Sequence, residues 1–138
     1  MDKTFNYLIS PSVSKLRCFS PKLKIAILAS GEGTNFQELI NLSKSNNFDI
    51  DIRLLITNKS DAGCILRAKK SNISYKIIKS SDYKNKKYFE EEIINTINKY
   101  DIELIVMAGW MKIMSSSFVN AFKDKIINIH PSLLPSFK

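Results

Sequence analysis

Five short runs of β-branched and apolar residues alternate along this chain with segments whose apolar residues recur at helical spacing. The runs cover residues 24–30, 51–58, 73–79, 101–109 and 125–130. Their nearly continuous hydrophobicity is typical of strands buried on both faces. The alternation predicts βαβ units, and therefore an α/β fold with a doubly wound, mostly parallel, Rossmann-like sheet.

Each of the four predicted helices has an apolar stripe and a preceding start signal. The stripes comprise Phe36, Leu39 and Ile40; Ile65, Leu66 and Ala68; Phe89, Ile93, Ile97 and Tyr100; and Phe118, Val119 and Phe122. The start signals are Thr34, Ser60-Asp61, Ser81-Asp82 and the serines at 115–117. In doubly wound sheets, ligands bind beyond the carboxyl ends of the strands, where the strand order reverses.

Length and charge narrow the classes of function. With 138 residues, of which 44% are hydrophobic, we expect one α/β domain over residues 23–138, preceded by an N-terminal extension over residues 1–22. The net charge of +8 favours anionic partners. Its lysines are scattered, without an arginine-rich stripe or an aromatic repeat, so we expect small phosphorylated or carboxylated ligands and no nucleic acid.

The remaining compositional features indicate the compartment. Two cysteines, Cys18 and Cys64, lie far apart without a CxxC motif, which predicts neither a disulfide framework nor a metal site. No run approaches the roughly 20 apolar residues of a membrane span, so no membrane association is expected. We expect a cytoplasmic protein. The serine-rich first 22 residues leave import into an organelle as an alternative to a plain extension.

The first strand leads into the sequence GEGTN, residues 31–35. Gly31 and Gly33 permit a tight turn with positive φ, and Thr34 with Gln37 matches a capping box. Such a turn directs backbone N–H groups and a helix dipole at an anion, and Asn35 adds a side-chain donor. Two interpretations remain open, a phosphate-binding loop and a purely structural turn, because the third glycine of a dinucleotide fingerprint and a P-loop GK[ST] are both missing.

The fourth and fifth strands lead into two further candidate segments. After the fourth, Trp110, Met111, Ile113 and Met114 provide either an apolar surface for a flat, partly aromatic ligand or simply core.

The fifth strand ends in Asn-Ile-His-Pro, and strand alternation places Asn128 and His130, the only histidine, on one face. His130 is either structural or a proton donor and acceptor near neutral pH. Asn128 can donate to an oxygen that gains charge during acyl transfer. No serine or cysteine is paired with the histidine in a nucleophilic motif, which favours direct transfer to an amine.

Four segments, read together, resemble a known family. They are ILASGEGTNFQELI, ITNKSDAGCILRAK, IVMAGWMKIMSSSFV and INIHPSLLPSF, and they occur in the order and at the spacing found in phosphoribosylglycinamide formyltransferase. The likeness runs over residues 24–138 without a gap. It implies the formyltransferase type of α/β fold and the transfer of a formyl group from 10-formyltetrahydrofolate, a co-substrate, to 5-phosphoribosylglycinamide in de novo purine (IMP) biosynthesis, without a metal.

The resemblance also implies site residues at the matching positions. Gly33, Thr34 and Asn35 would hold the substrate phosphate. His130 would be the catalytic proton donor, and Asn128 would stabilise the tetrahedral intermediate. The folate site would comprise Lys86, Met111, Lys112, Ile113, Met114 and Asn128.

The sequence departs from the family pattern in two respects. Lys86 and Lys112 stand where arginine is frequent, which keeps the charge but loses the planar fork that binds carboxylates bidentately. The family pattern also continues beyond the position of Lys138 with a folate-binding loop, an aspartate that raises the pKa of the histidine, further strands and a helix. We therefore expect a fragment or a naturally shortened relative, with an exposed sheet edge and weak or no activity alone.

Two alternatives remain at this stage. Other formyltransferases and hydrolases with an Asn-x-His core, namely formyltetrahydrofolate deformylase and methionyl-tRNA formyltransferase, resemble the same segments, although GEGTN favours a small phosphorylated substrate. The chain is alternatively a non-catalytic remnant that binds a ligand or partner. The sequence does not indicate an oligomeric state.

Overall fold

The computed structural model describes residues 21–45 and 48–129. Within these residues, five strands form one sheet in which every pair is parallel. The strands are β1 (Leu23–Leu28), β2 (Ile50–Thr57), β3 (Ser74–Ile77), β4 (Leu104–Ala108) and β5 (Ile126–Ile129). The helices are α1 (Thr34–Lys44), α2 (Cys64–Lys70), α3 (Lys86–Asn98) and α4 (Ser116–Ala121), with a 3₁₀ turn at Ser80–Asp82.

The strand order is β3-β2-β1-β4-β5. Chain order therefore runs outward from β1 in one direction to β3, and resumes on the other side of β1 with β4. This reversal is the defining feature of a doubly wound sheet, and it opens a crevice at the carboxyl ends of β1 and β4. The predicted fold class is confirmed, and the crevice lies where GEGTN and the Trp110 segment begin.

Helices cover both faces of the sheet. On one face, Phe36 and Ile40 of α1 and Ile65 of α2 pack in a cluster with Ile25 and Ile27 of β1. On the other face, the cluster combines alternate strand residues with α3 and α4; its helical members include Phe89, Ile93, Ile97, Phe118 and Phe122. The alternation of β1 side chains between the two clusters follows from the period of two in a strand.

The prediction that the strands are buried on both faces is confirmed for the three central strands and is wrong for the two outer ones. The final four residues of β1, β2 and β4 are all buried. In β3, three of four residues are exposed, and β5 has two exposed and two half-buried residues. Among the residues described, each outer strand pairs with one neighbour only, so its other edge and part of its faces remain uncovered.

The predicted burial is also wrong for two residues of the helical stripes. Leu66 of α2 is 55% exposed and Val119 of α4 is 49% exposed, whereas the neighbouring Ile65 and Phe118 are buried. Both helices are short, with seven and six residues, so only part of each surface reaches the sheet. A short apolar run cannot reveal which of two adjacent residues faces inward.

Three of the four predicted helix starts are also wrong. Gly33, in left-handed conformation, precedes α1 and Gly63 precedes α2, and no side chain in the described part of the chain caps either helix. Ser80–Asp82 forms the separate 3₁₀ turn, and the side chain of Asn85 caps α3 by accepting from the N–H of Tyr88. Only Ser115 acts as predicted, accepting from the N–H of Phe118.

Two sequence-based expectations concern the ends of the chain and membrane association. Of the predicted N-terminal extension, residues 1–20 lie outside the described residues, so the boundary at residue 22 stays a prediction. No helix in the described ranges is long and apolar enough to cross a membrane.

Candidate functional site at the carboxyl ends of β1, β4 and β5

Two hydrogen bonds from α2 hold the turn between β1 and α1. The N–H of Cys64 donates to the carbonyl oxygen of Gly31 at 3.1 Å, and Nε of Arg67 donates to the carbonyl oxygen of Glu32 at 2.7 Å. Gly33 has φ of +77°, and a Cβ placed on it would lie 2.7 Å from the Cβ of Cys64. This close approach to α2 explains why glycine is needed at position 33.

The predicted geometry of this turn is only partly correct. Positive φ is confirmed for Gly33, but Gly31 does not have it and has open space around its α-carbon. The capping box is wrong, since Gln37 instead donates from Nε2 to Asn41 and accepts from Arg67. Because the N-terminus of α1 is not occupied by a side-chain cap from any described residue, its backbone donors remain directed at the turn.

The segment after β4 is fixed at both ends and exposed in the middle. At its start, Gly109 has φ of +76°, and the N–H of Met111 donates to Oγ of Ser30 at 2.9 Å. At its end, the N–H of Ser115 donates to Oε1 of Glu90 at 2.8 Å, and the hydroxyl of Ser115 also bonds to the Glu90 carboxylate. The outward residues between these anchors include Met111, 69% exposed, and Ile113, 86% exposed.

The sequence left two alternatives for this segment, core and ligand-binding surface, and each applies to different residues. Trp110 is core: it is buried beneath the segment, and its indole N–H donates to Sδ of Met114 at 3.2 Å. Met111 and Ile113 are not core, and their exposure leaves them available to a ligand. Apolar side chains that remain exposed beside a crevice are typical of ligand-binding surfaces.

Asn128 lies on the same rim of the sheet. In the strand register it pairs with Met107 of β4, which in turn pairs with Leu28 of β1. Adjacent strands lie about 4.8 Å apart, so the backbone of Asn128 is roughly 10 Å from that of Leu28. Gly31 follows Leu28 by three residues, so the glycine turn and Asn128 border one crevice.

A cavity of about 440 Å³ joins Asn128 to the segment after β4. Its walls include five of the residues predicted for the folate site, and the remaining lining comes from β4, β5, Trp110 and α4. The full lining is Met107, Trp110, Met111, Lys112, Ile113, Met114, Val119, Ile126 and Asn128. Five of the six residues predicted for the folate site therefore share one cavity.

Lys86, the sixth, lies on the other side of the same segment. It lines a separate cavity of about 410 Å³ together with Lys112, Ile113, Tyr83 and Phe89. Nζ of Lys86 is 3.9 Å from Oε1 of Glu90, and slightly more than half of its side chain is exposed. Lys112 and Ile113 border both cavities, so Lys86 and Asn128 flank the exposed segment from opposite sides.

Three further predicted site residues are Thr34, Asn35 and His130. Thr34 is exposed and Asn35 is half-buried at the start of α1. His130 lies outside the described residues, as does the rest of the chain from residue 130 onward. In the described part of the chain, no group of three or more histidine, cysteine or acidic side chains is arranged to hold a metal ion.

The described cysteine does not provide a nucleophile for this site. Cys64 is buried beneath the glycine turn, with Sγ 3.9 Å from the carbonyl oxygen of Ala29. Burial raises the pKa of its thiol above the usual 9.0, so the thiol is protonated at neutral pH. Its side chain packs against Gly33 beneath the turn.

Sequence reasoning missed the residues that support the site. Ser30, Arg67 and Glu90 each connect a site segment to another element through hydrogen bonds. Glu90 was detectable, because an acidic residue three positions before Ile93 and seven before Ile97 falls on the buried stripe of α3. Ser30 and Arg67 had no such signal, since their partners, the Met111 N–H for Ser30 and the Glu32 carbonyl and Gln37 side chain for Arg67, are distant in sequence.

Comparison with known proteins identifies the family. A sequence model of the family described as "Formyl transferase" matches residues 23–138. The chain belongs to the formyl transferase family. The phosphoribosylglycinamide formyltransferase of Bacillus subtilis is 40% identical over 114 residues, which is 83% of this chain and 58% of that protein.

Two further relatives extend the comparison. The trifunctional purine biosynthetic protein adenosine-3 of Chironomus tentans is 39% identical over 120 residues, 86% of this chain and 9% of that protein. The crystal structure of phosphoribosylglycinamide formyltransferase from Brucella melitensis superposes with a TM-score of 0.80 at 30% identity, covering 84% of this chain and 60% of that one. The predicted resemblance is confirmed, and the chain spans little more than half the length of these single-function relatives.

Proposed function

We propose that this chain carries the catalytic rim of a phosphoribosylglycinamide formyltransferase, which transfers a formyl group from 10-formyltetrahydrofolate to the amine of 5-phosphoribosylglycinamide in purine (IMP) biosynthesis. The observation that carries the proposal is the shared rim. Asn128 and the exposed segment around Met111 line one cavity, and the glycine turn borders the same crevice. The relatives' names supply the reaction.

The ribonucleotide phosphate is assigned to Gly33, Thr34 and Asn35. The N-terminus of α1 has no side-chain cap among the described residues, so its N–H groups and helix dipole favour an anion there. Gly33 lets the chain enter the helix in left-handed conformation while staying in contact with α2. The half-buried Asn35 adds an amide donor beside these backbone groups.

The folate co-substrate is assigned to the segment after β4. A flat pteridine ring suits the apolar walls made by Met111, Ile113 and Met114, and the cavity of about 440 Å³ falls within the size range of small-ligand sites. We assign the carboxylates of the folate tail to Lys112 and Lys86, which line one cavity on the other side of the segment. Since lysine forms point-charge contacts and no bidentate pair, we expect weaker folate binding than with arginine at these positions.

The chemistry is a direct transfer. The substrate amine attacks the formyl carbon, the carbonyl oxygen gains negative charge, and the amide of Asn128 donates to that oxygen. His130 serves as the proton donor to the departing folate nitrogen, a role that rests on the sequence pattern and the family likeness. Loss of the amine proton completes the transfer and leaves formylated ribonucleotide and tetrahydrofolate.

The proposal is tested by assaying formyl transfer to three acceptors: 5-phosphoribosylglycinamide, methionyl-tRNA and water. The expected result is transfer to the ribonucleotide alone, at a low rate. Transfer only to tRNA or to water would assign the chain to another formyltransferase or to a deformylase. Binding of both small ligands without turnover would indicate a ligand-binding remnant.

Substitutions of two asparagines distinguish a role in catalysis from a role in substrate binding. Asn128→Ala should lower kcat about 10²-fold to 10³-fold while leaving the fold intact, because an oxyanion donor acts chiefly in the transition state. Asn35→Ala should chiefly raise KM for the ribonucleotide. Asn41→Ala, on the same helix but away from the turn, is the matched control and should change neither constant. Normal kcat in Asn128→Ala would remove that residue from the mechanism.

A further inference from the structure

Ser30 is a buried polar residue that the proposed reaction does not use. It is 1% exposed and lies between the end of β1 and Gly31. Its neighbour Ala29 donates its N–H to the carbonyl oxygen of Ile56 at 3.0 Å, extending the pairing of β1 with β2. Ser30 therefore follows directly on the paired end of β1, one residue before the glycine turn.

Ser30 also makes two contacts with the segment after β4. Its backbone N–H donates to the carbonyl oxygen of Gly109 at 3.1 Å, and its Oγ accepts from the N–H of Met111 at 2.9 Å. The two bonds fall on either side of Trp110. Gly109 adopts a left-handed conformation, and the Ser30 hydroxyl satisfies the backbone donor two residues beyond it, the N–H of Met111.

We propose that Ser30 is a positioning residue: its hydroxyl fixes the segment after β4 against the glycine turn, and so sets the place of the folate site relative to the phosphate site. The inference rests on the proposed function for its ligands, but the hydrogen bonds that carry it do not. Met111 is the first residue that the segment presents outward, so the N–H held by Ser30 sets where the apolar surface begins.

The opposite end of the segment is fixed independently. Glu90, 5% exposed on α3, accepts from the N–H of Ser115 and bonds to its hydroxyl, and the same hydroxyl caps α4. Removing the Ser30 hydroxyl therefore releases one end only. We expect the segment to stay folded back on Trp110 while its first outward residues gain freedom.

The test compares Ser30→Ala with wild type by amide hydrogen exchange in the absence of any ligand. The Met111 amide should exchange about fivefold to tenfold faster in the variant, since it loses the acceptor that it has among the described residues. The amide of residue 30 should remain as protected as before, because its bond to the Gly109 carbonyl does not involve the side chain. Equal Met111 exchange in both proteins would overturn the proposal.

Folate affinity provides the second measurement. Trp110, the only tryptophan in the chain, reports binding of a stable reduced folate, 5-formyltetrahydrofolate, through its fluorescence. We expect Ser30→Ala to weaken this binding about fivefold to tenfold and to leave ribonucleotide affinity unchanged, because the backbone of the glycine turn keeps its own bonds. If wild type binds folate and the variant binds it equally well, the positioning role is wrong.

Two further variants keep the outcome decidable. Thr57→Val removes another buried hydroxyl at a strand end, which accepts from the N–H of Lys59 at 3.4 Å. The loop that follows Thr57 contains no proposed folate residue, so this control should change neither Met111 exchange nor folate affinity. Ser30→Cys keeps a side chain of similar size but has only a weak acceptor. It should also show faster Met111 exchange and weaker folate binding, and it replaces Ser30→Ala if the alanine variant folds poorly. A wild-type chain that binds no folate would count against the proposed function, and the exchange comparison would still decide whether Ser30 holds the segment.

Discussion

Gly33 occupies a position where both the backbone conformation and the available space exclude a side chain. Its φ of +77° is unfavourable for other residues, and an added Cβ would meet Cβ of Cys64 at 2.7 Å and its Cα at 3.1 Å. The obstruction includes backbone, so it cannot be relieved by rotating a side chain. The turn and α2 would have to separate.

We therefore expect Gly33→Ala to lower the free energy of unfolding by about 3 kcal/mol, measured by urea denaturation. Gly31→Ala, two residues away, is the matched control. Gly31 has an ordinary φ and open space, so alanine there should change stability by less than about 1 kcal/mol. Equal effects of the two substitutions would show that contact with Cys64 does not constrain the turn.

At the residue scale, sequence reasoning found the outward side chains of the site better than its supports. Met111, Ile113 and Asn128 were singled out because they stand at strand ends on the predicted ligand edge and match the family pattern, and all three are exposed. The partners of Ser30 and Arg67 are groups brought close only by the fold: the Met111 N–H for Ser30, and the Glu32 carbonyl oxygen and the Gln37 side chain for Arg67. A periodic pattern records which way a residue faces, and it contains no information about such contacts.

Among the elements, α3 most clearly separates a buried face from an exposed one. Phe89, Ile93 and Ile97 are all at most 2% exposed and pack on one face of the sheet. Ile94, the next residue after Ile93, is only half-buried at the edge of the same cluster. Two isoleucines adjacent in sequence therefore differ mainly in burial.

We expect Ile93→Ala to destabilise the protein by about 2 to 5 kcal/mol, because it leaves a cavity against the sheet. Ile94→Ala should cost about 1 kcal/mol, since less apolar surface is lost there. Thermal or urea unfolding of both variants gives the comparison. A larger loss for Ile94→Ala would contradict the assignment of the buried face of α3.

The boundaries of elements were predicted less well than their existence. The fourth strand was predicted from residue 101, but Asp101 has φ of +53° and β4 begins at Leu104. Two of the three wrong helix starts are at Gly33 and Gly63, where glycine stands in the cap position, and the third is at Asn85, a cap that the prediction passed over. In each case the sequence pattern favoured extension or another cap than the one the folded chain has.

At the scale of the whole molecule, one ion pair joins the start of β1 to the turn before β4. Nζ of Lys24 lies 2.6 Å from Oδ2 of Asp101, and the Lys24 ammonium holds the pKa of that carboxyl below its usual 3.8. Because the folded-state pKa is lowered, the stabilisation is fully present above pH 3.8. It is lost as the pH falls from that value to the lower pKa of the folded state.

Asp101→Asn should accordingly reduce the urea midpoint at pH 7, and the difference from wild type should shrink as the pH falls below 3.8. Asparagine tolerates the left-handed conformation at this position, so the substitution removes charge with little backbone strain. In a Lys24→Met background, Asp101→Asn should have a smaller effect at pH 7. An undiminished effect there would assign the stabilisation to another partner.

The strand order also determines when the sheet can assemble on a ribosome. One side of β1 pairs with β2, which follows soon after α1, but its other side pairs with β4, and Lys24 bonds to Glu103 across a separation of 79 residues. A nascent chain therefore exposes one edge of its innermost strand until β4 has been made, with the glycine turn already complete beside it. During that interval the open edge is a place where a strand of another chain can pair.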